Sequence, residues 1–112
     1  MTELGMTGAA SPANGLRGEA MLAIGDASHR LRPTFTALVA AEEELGPLFA
    51  LVERAGAGQL RLSELAALFW HCLDAQGRPP REAVGEAVLA AGLAACAAPL
   101  RTLLGQILKG AG

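Results

Sequence analysis

Two stretches bring together residue types that could do chemistry. The first, "HCLD", holds His71, Cys72 and Asp74, the side chains of a thiol nucleophile with its base, or of a metal site. Neighbours on a helix point about 100° apart, so His71 cannot serve Cys72 as a general base. His71 and Asp74 share a helix face as an i, i+3 pair, but zinc asks for three or more protein ligands. The only other histidine is His29. The expectation is a helix-surface histidine near an acid, with no catalytic residue and no metal ligand.

The second stretch, "ERAGAGQLRLSE" from Glu53 to Glu64, places Gly58, Leu60 and Glu64 at the sixth, eighth and twelfth positions of a calcium-binding helix-loop-helix. Ala55 and Ala57 stand at the third and fifth positions, where oxygen ligands are needed. Calcium is therefore not expected, and the glycines fit a tight helical hairpin instead. "GAGQL" lacks the Lys and Ser or Thr of a phosphate loop. The acidic run Glu42 to Glu44 reads as the solvated face of a helix. No enzyme and no cofactor emerge from these residues.

Composition bounds what can position such groups. With 112 residues the chain suits one domain with one core. Hydrophobic residues make up 52% but aromatics only 4%, so the core must come from thin helices packed through Leu and Ala. Nine basic residues are scattered among eleven acidic ones, for a net charge of −2, which argues against nucleic acid as a partner. Cys72 and Cys96 fall inside predicted helices and read as reduced core thiols, which points to the cytoplasm. Residues 1–15, "MTELGMTGAASPANG", have neither the basic start nor the apolar core of an export signal and read as a disordered leader. No apolar window is long enough to span a membrane.

From Arg17 to Ile24 the chain alternates, with Ala20, Leu22 and Ile24 on one side. After the turn residues Gly25 to Ser28, "HRLRP" resumes the alternation. A hairpin of residues 17 to 24 and 28 to 33 is predicted. Pro33 ends the strand, Thr34 caps the next element, and Phe35, Leu38, Val39 and Leu45 mark the apolar side of a helix, with Phe35 tying the junction into the core. Gly46 and Pro47 stop one helix and start another, whose stripe is Leu48, Leu51 and Val52. The next starts near Ser63 as its cap and buries Leu65, Leu68, Phe69, Cys72 and Leu73. Pro80 opens a helix with Val84, Val88 and Leu89 inward and small residues Gly85, Ala87, Ala91 and Gly92 that would let a neighbour close. Pro99 divides it from a last helix bearing Leu100, Leu103, Leu104, Ile107 and Leu108.

The predicted fold class is α+β, mostly α: an N-terminal two-stranded β-hairpin followed by four to five short helices packed as a bundle, in one domain over residues 16–110. A two-stranded hairpin cannot cover five helices. An apolar stripe is then available for assembly unless the helices cover one another, and Trp70 either completes the core or anchors a partner.

"NGLRGEAMLAIGDASHRLRPTFTALVAAEEELGPLFALVER", with "RLSELAALFWHCL" and "APLRTLLGQILKG" downstream, resembles the small gene transfer agent proteins of alphaproteobacterial phage-like tail clusters, described as tail tube or tail assembly chaperone proteins. The likeness runs over residues 14–110. It rests on "RGE" at Arg17 to Glu19, the strand ending in Gly25, "LRPTF" at Leu31 to Phe35, and the Ala37 to Gly46 segment. The resemblance implies a role in assembling the tail of a virus-derived particle that moves host DNA between cells. As a chaperone the protein would bind the tape-measure protein, the tail tube protein or both; as a structural component it would stay in the particle. A single hairpin cannot form a tube wall, whereas amphipathic helices can hold a helical client, which favours the chaperone. Arg30 and Arg32 are expected to project from the hairpin's polar face. Leu100, Leu103 and Leu104, with Trp70, are the expected contacts to a client or to a second copy. The expected location is the cytoplasm, with particle association as the alternative. A small helical regulatory protein unrelated to particles is the reading from another class.

Overall fold

Alternation at the start of the chain becomes a hairpin because one side of it is apolar throughout. In the computed structural model, which describes residues 19–109, β1 (Ala20–Ile24) pairs antiparallel with β2 (Ala27–Leu31), Leu22 standing opposite His29. Gly25 at φ 62° takes the first place of the two-residue turn, where a type II′ hairpin calls for glycine. Ala20, Leu22 and Leu31 are buried, as their alternation predicts. The leader predicted at 1 to 15, and positions 17 and 18 of the first strand, lie outside the described residues.

β2 ends at Leu31, short of the predicted Pro33. The backbone N–H of Arg32 turns away from β1 and donates to the Cys72 carbonyl at 2.8 Å, and Leu31 forms an antiparallel bridge with Leu73. The hairpin is thereby pinned to the end of a helix far along the chain.

Thr34 caps α1 (Phe35–Leu45), its Oγ1 accepting from the Ala37 N–H at 3.1 Å. The face of α1 toward the next-but-one helix is built from small residues, with Ala41 fully buried. Phe35, expected in the core, is instead 83% exposed. It precedes Ala37 by two residues, about 200° around the helix, and so points away from the face that packs. Val39 lies on the same outer side and is also exposed, while Leu38 and Leu45 pack against the core.

Gly46, at φ 93°, ends α1 with its N–H on the Glu42 carbonyl, and the Glu42 carboxylate accepts the Leu48 N–H at 3.1 Å. One residue thus closes α1 and opens α2 (Leu48–Gly56). α3 (Leu62–Cys72) starts one residue before the predicted cap. Ser63 sits in its first turn, and Glu64 reaches back to the Arg61 N–H at 2.9 Å, satisfying an amide that the helix leaves without a partner. Leu65 to Phe69 are all buried, so α3 is the central helix.

α4 (Arg81–Ala91) follows Pro80, as predicted, and buries Val84, Ala87 and Val88. Leu89 does not join them; it is 60% exposed. Nor does any neighbour close on Gly85, around which a Cβ would find open space. The division expected at Pro99 falls at Gly92, φ 89°, where the chain bends by 117°. α5 (Leu93–Lys109) then runs through Pro99 without ending. No single helix among the described residues is long and apolar enough to cross a membrane.

Phe69 is the largest fully buried side chain, surrounded by a core of Leu31, Leu51, Leu68, Val84, Val88 and Leu103. Cys72 and Cys96 are buried free thiols. Among the described residues the architecture is α+β and mostly α, a hairpin leading five helices.

Candidate functional site

The polar side chains gather where α1, α3 and α4 meet. Glu44 divides its carboxylate, one oxygen 2.7 Å from His71 Nε2 and the other on Arg81. The Arg81 bond, then that of His71, holds the Glu44 carboxyl below its ordinary value of 4.5. Trp70 carries the guanidinium of Arg78 3.8 Å from its ring centre and that of Arg81 at 4.4 Å, a paired cation–π arrangement. Its Nε1 donates to the Pro79 carbonyl at 3.1 Å. Trp70 therefore fastens the 74–80 loop onto α3, with its ring already occupied.

His71 does not pair with Asp74 as its spacing suggested. α3 stops at Cys72, so the i, i+3 geometry is never formed, and Asp74 turns to Arg32 at 3.8 Å. Cys72 is a core thiol whose burial pushes its pKa up to about 12, and burial raises Cys96 too. Neither is poised as a thiolate nucleophile. Among the described residues no three His, Cys, Asp or Glu side chains converge as metal ligands. Glu64, the twelfth residue of the calcium-like stretch, is held at about 2 by Arg54 and the Arg61 amide; its carboxylate joins α2 to the start of α3.

Beside this corner lies a cleft of about 380 Å³ bordered by Arg32, Thr34, His71 and Arg78. Arg32 does not stand clear of the hairpin, since it spans Glu19 at 3.4 Å and Asp74. Arg30 is half-buried, with its Nε enclosed and without a hydrogen-bond partner among the described residues. The hairpin arginines are thus folded back, not projecting.

A second candidate is apolar. Two hollows lie along α5, one of about 270 Å³ against α2, between Leu48, Phe49, Val52, Ile107 and Leu108, the other of about 200 Å³ against the α2–α3 connection and the start of α3, between Ala55, Leu60, Leu62, Leu93 and Leu100. Both lie along α5, whose residues 93, 97, 100, 104 and 107 recur at helical spacing. The stripe is about 20 Å long at 1.5 Å per residue. Phe49 is 83% exposed on its rim, and Leu62, Leu93 and Leu108 are exposed as well.

Of the three leucines expected to meet a partner, Leu100 lines a hollow and Leu104 is half-buried. Leu103 is corrected: at 0% exposure it belongs to the chain's own core. The sequence reading missed Phe49 and the joining of Glu44 to Arg81. Phe49 had a signal, as the one large apolar residue of α2 off the stripe of Leu48, Leu51 and Val52; the Glu44–Arg81 pair, 37 residues apart, had none.

These elements define a class: a small hairpin-led helical bundle with a paired polar corner and two apolar hollows along its last helix. Within that class, a family model described as "Phage tail tube protein, GTA-gp10" matches residues 17–110. The chain belongs to that family of gene transfer agent tail proteins. Neither the curated proteins nor the solved structures gave a match.

Proposed function

We propose that this tail-family protein is a non-enzymatic tail assembly chaperone, holding an apolar helical segment of the tape-measure protein or of the tail tube protein against α2 and α5. The observation that carries the reading is the pair of apolar hollows along α5, where Phe49, Leu93 and Leu108 stay exposed. An amphipathic helix of about four turns matches the length of the α5 stripe and would lay its apolar face there. Leu100 and Leu104 would form the floor of the contact. Trp70 has no part in it, because its ring is covered by arginines.

The family description favours a second reading, a structural part of the tube. Against it stands the small sheet: two strands of five residues offer little for building a wall. Co-expression with the tape-measure and tube proteins of the same cluster, with capture and mass spectrometry of both the soluble complex and purified particles, separates the two. Capture of a client with absence from particles is the expected result. Many copies in each particle would make the protein structural.

A further inference from the structure

The two edges of the hairpin differ. On the β2 side, the Arg32 N–H is taken by Cys72 and Leu31 bridges to Leu73. Since the backbone of Arg32 points away from β1, those of Arg30 and Ser28 do so too, and those of Ala27, His29 and Leu31 face β1. Their partners Ile24, Leu22 and Ala20 face back. The N–H and C=O groups of Met21 and Ala23 are then left aimed at the outer edge. Among the described residues no backbone hydrogen bond from outside the hairpin reaches them, and the sheet has no third strand.

Sheet edges are ordinarily guarded by lysine, proline, a bulge or an inward charge. β1 reads AMLAI and has none of these. What an unguarded edge recognises is another extended backbone, with side chains deciding which one. We propose that β1 pairs antiparallel with β1 of a second copy of this chain, joining two hairpins into a four-stranded sheet about a two-fold axis.

Self-complementarity selects the second copy. With Leu22 opposite the partner copy's Leu22, Met21 faces Ala23 and Ala23 faces Met21. The two N–H and two C=O groups of each edge then pair into four hydrogen bonds, leaving none of these groups open. On the outer face each Met21, half-buried, lies across from a small, exposed Ala23, and no charges oppose each other. On the inner face the buried Leu22 residues meet across the axis and extend the core. An isologous contact of this kind closes at two copies. It also turns a marginal two-stranded ribbon into a sheet of ordinary size.

Sedimentation equilibrium of the full chain, with hydrogen exchange at the Met21 and Ala23 amides, tests the pairing. The wild type is expected at twice the 11.4 kDa chain mass, with both amides protected only at concentrations where the dimer forms. Ala23→Pro removes an outward N–H and no bond of the internal ladder, so it is expected to give single chains with unchanged helical circular dichroism, while Ala23→Ser stays dimeric. If the proline variant does not fold, Met21→Lys serves in its place. Four results overturn the proposal: a wild type of one-chain mass, a dimer indifferent to both variants, amides protected at every dilution because the chain's own ends cover them, or a lone monomer whose β1 edge captures a tail-protein strand. Client capture at α2 and α5 is read in a separate experiment, so either proposal can fail alone.

Discussion

Glu44 Oε1 lies 2.7 Å from His71 Nε2, and this contact ties the last turn of α1 to the last turn of α3. Through its other oxygen Glu44 also holds Arg81 at the first turn of α4. Three helices are therefore joined at this end by one carboxylate. Its pKa is depressed, so the contribution is complete above the ordinary value of 4.5 and is lost as pH falls through the lowered one. Glu44→Gln keeps the shape and removes the charge. Because Glu44 and Arg81 are each more than a third exposed, the cost at neutral pH is about 0.5–1 kcal/mol in urea unfolding. The gap between variant and wild type closes in acid; equal stability at neutral pH would show that the corner contributes nothing.

The Arg54–Glu64 pair makes a related prediction with a different reach. Glu64 bonds Arg54 Nη1 at 2.7 Å and the Arg61 N–H at 2.9 Å, so it joins α2 to α3 and caps α3 at once. With its pKa lowered to about 2, its stabilising effect is full above 4.5 and fades as pH falls toward 2. Glu64→Gln can still accept the amide bond, whereas Glu64→Ala cannot. The alanine variant is expected to lose about 1 kcal/mol at neutral pH and the glutamine variant less. Matched losses in thermal unfolding would mean that the cap does not matter.

What could be read from the sequence divides along physical lines. Period-two alternation at Ala20, Leu22 and Ile24, the Gly25 turn, the Gly46–Pro47 corner and the α3 face of Leu65, Leu68, Phe69 and Cys72 all depend on neighbours in the chain, and all appear as expected. Phe35 misled because size suggested burial, while the packed face of α1 is centred on Ala41 with Leu38 and Leu45 beside it. Leu103 and Leu108 point about 140° apart around α5, and it is the placement of other elements that buries the first and leaves the second exposed. The apolar channel formed by the hollows along α5 could not be read for that reason: the hollows are spaces left between α5 and the elements of residues 48–65, set by how each packs on a common core.

Pro99 works against its own helix. It lies in the seventh position of α5, where it cannot donate to the carbonyl four residues back and its ring crowds that group. The turn at Gly92 already separates α4 from α5, so proline is not needed as a divider. Pro99→Ala is expected to restore one helical bond and stabilise the protein by about 1–3 kcal/mol, seen as a raised thermal midpoint. A lowered midpoint would show that the kink itself fits α5 to the core.

The sharpest test of the channel compares leucines five residues apart on one helix. Leu103 is fully buried and Leu108 is 57% exposed, so they belong to different parts of the energetics. Leu103→Ala removes core contacts and is expected to cost about 2–5 kcal/mol. Leu108→Asp and Phe49→Asp place charge on a surface already open to water, so each is expected to change stability by no more than about 0.5 kcal/mol. The same two variants put a carboxylate where an apolar client face must dry the surface, which costs far more than an exposed charge. Client capture is therefore expected to fall tenfold or more for the pair while unfolding curves stay superimposed. Leu103→Ala should weaken capture only as far as it unfolds the chain. If both aspartate variants hold the client as tightly as wild type, the channel is not its seat.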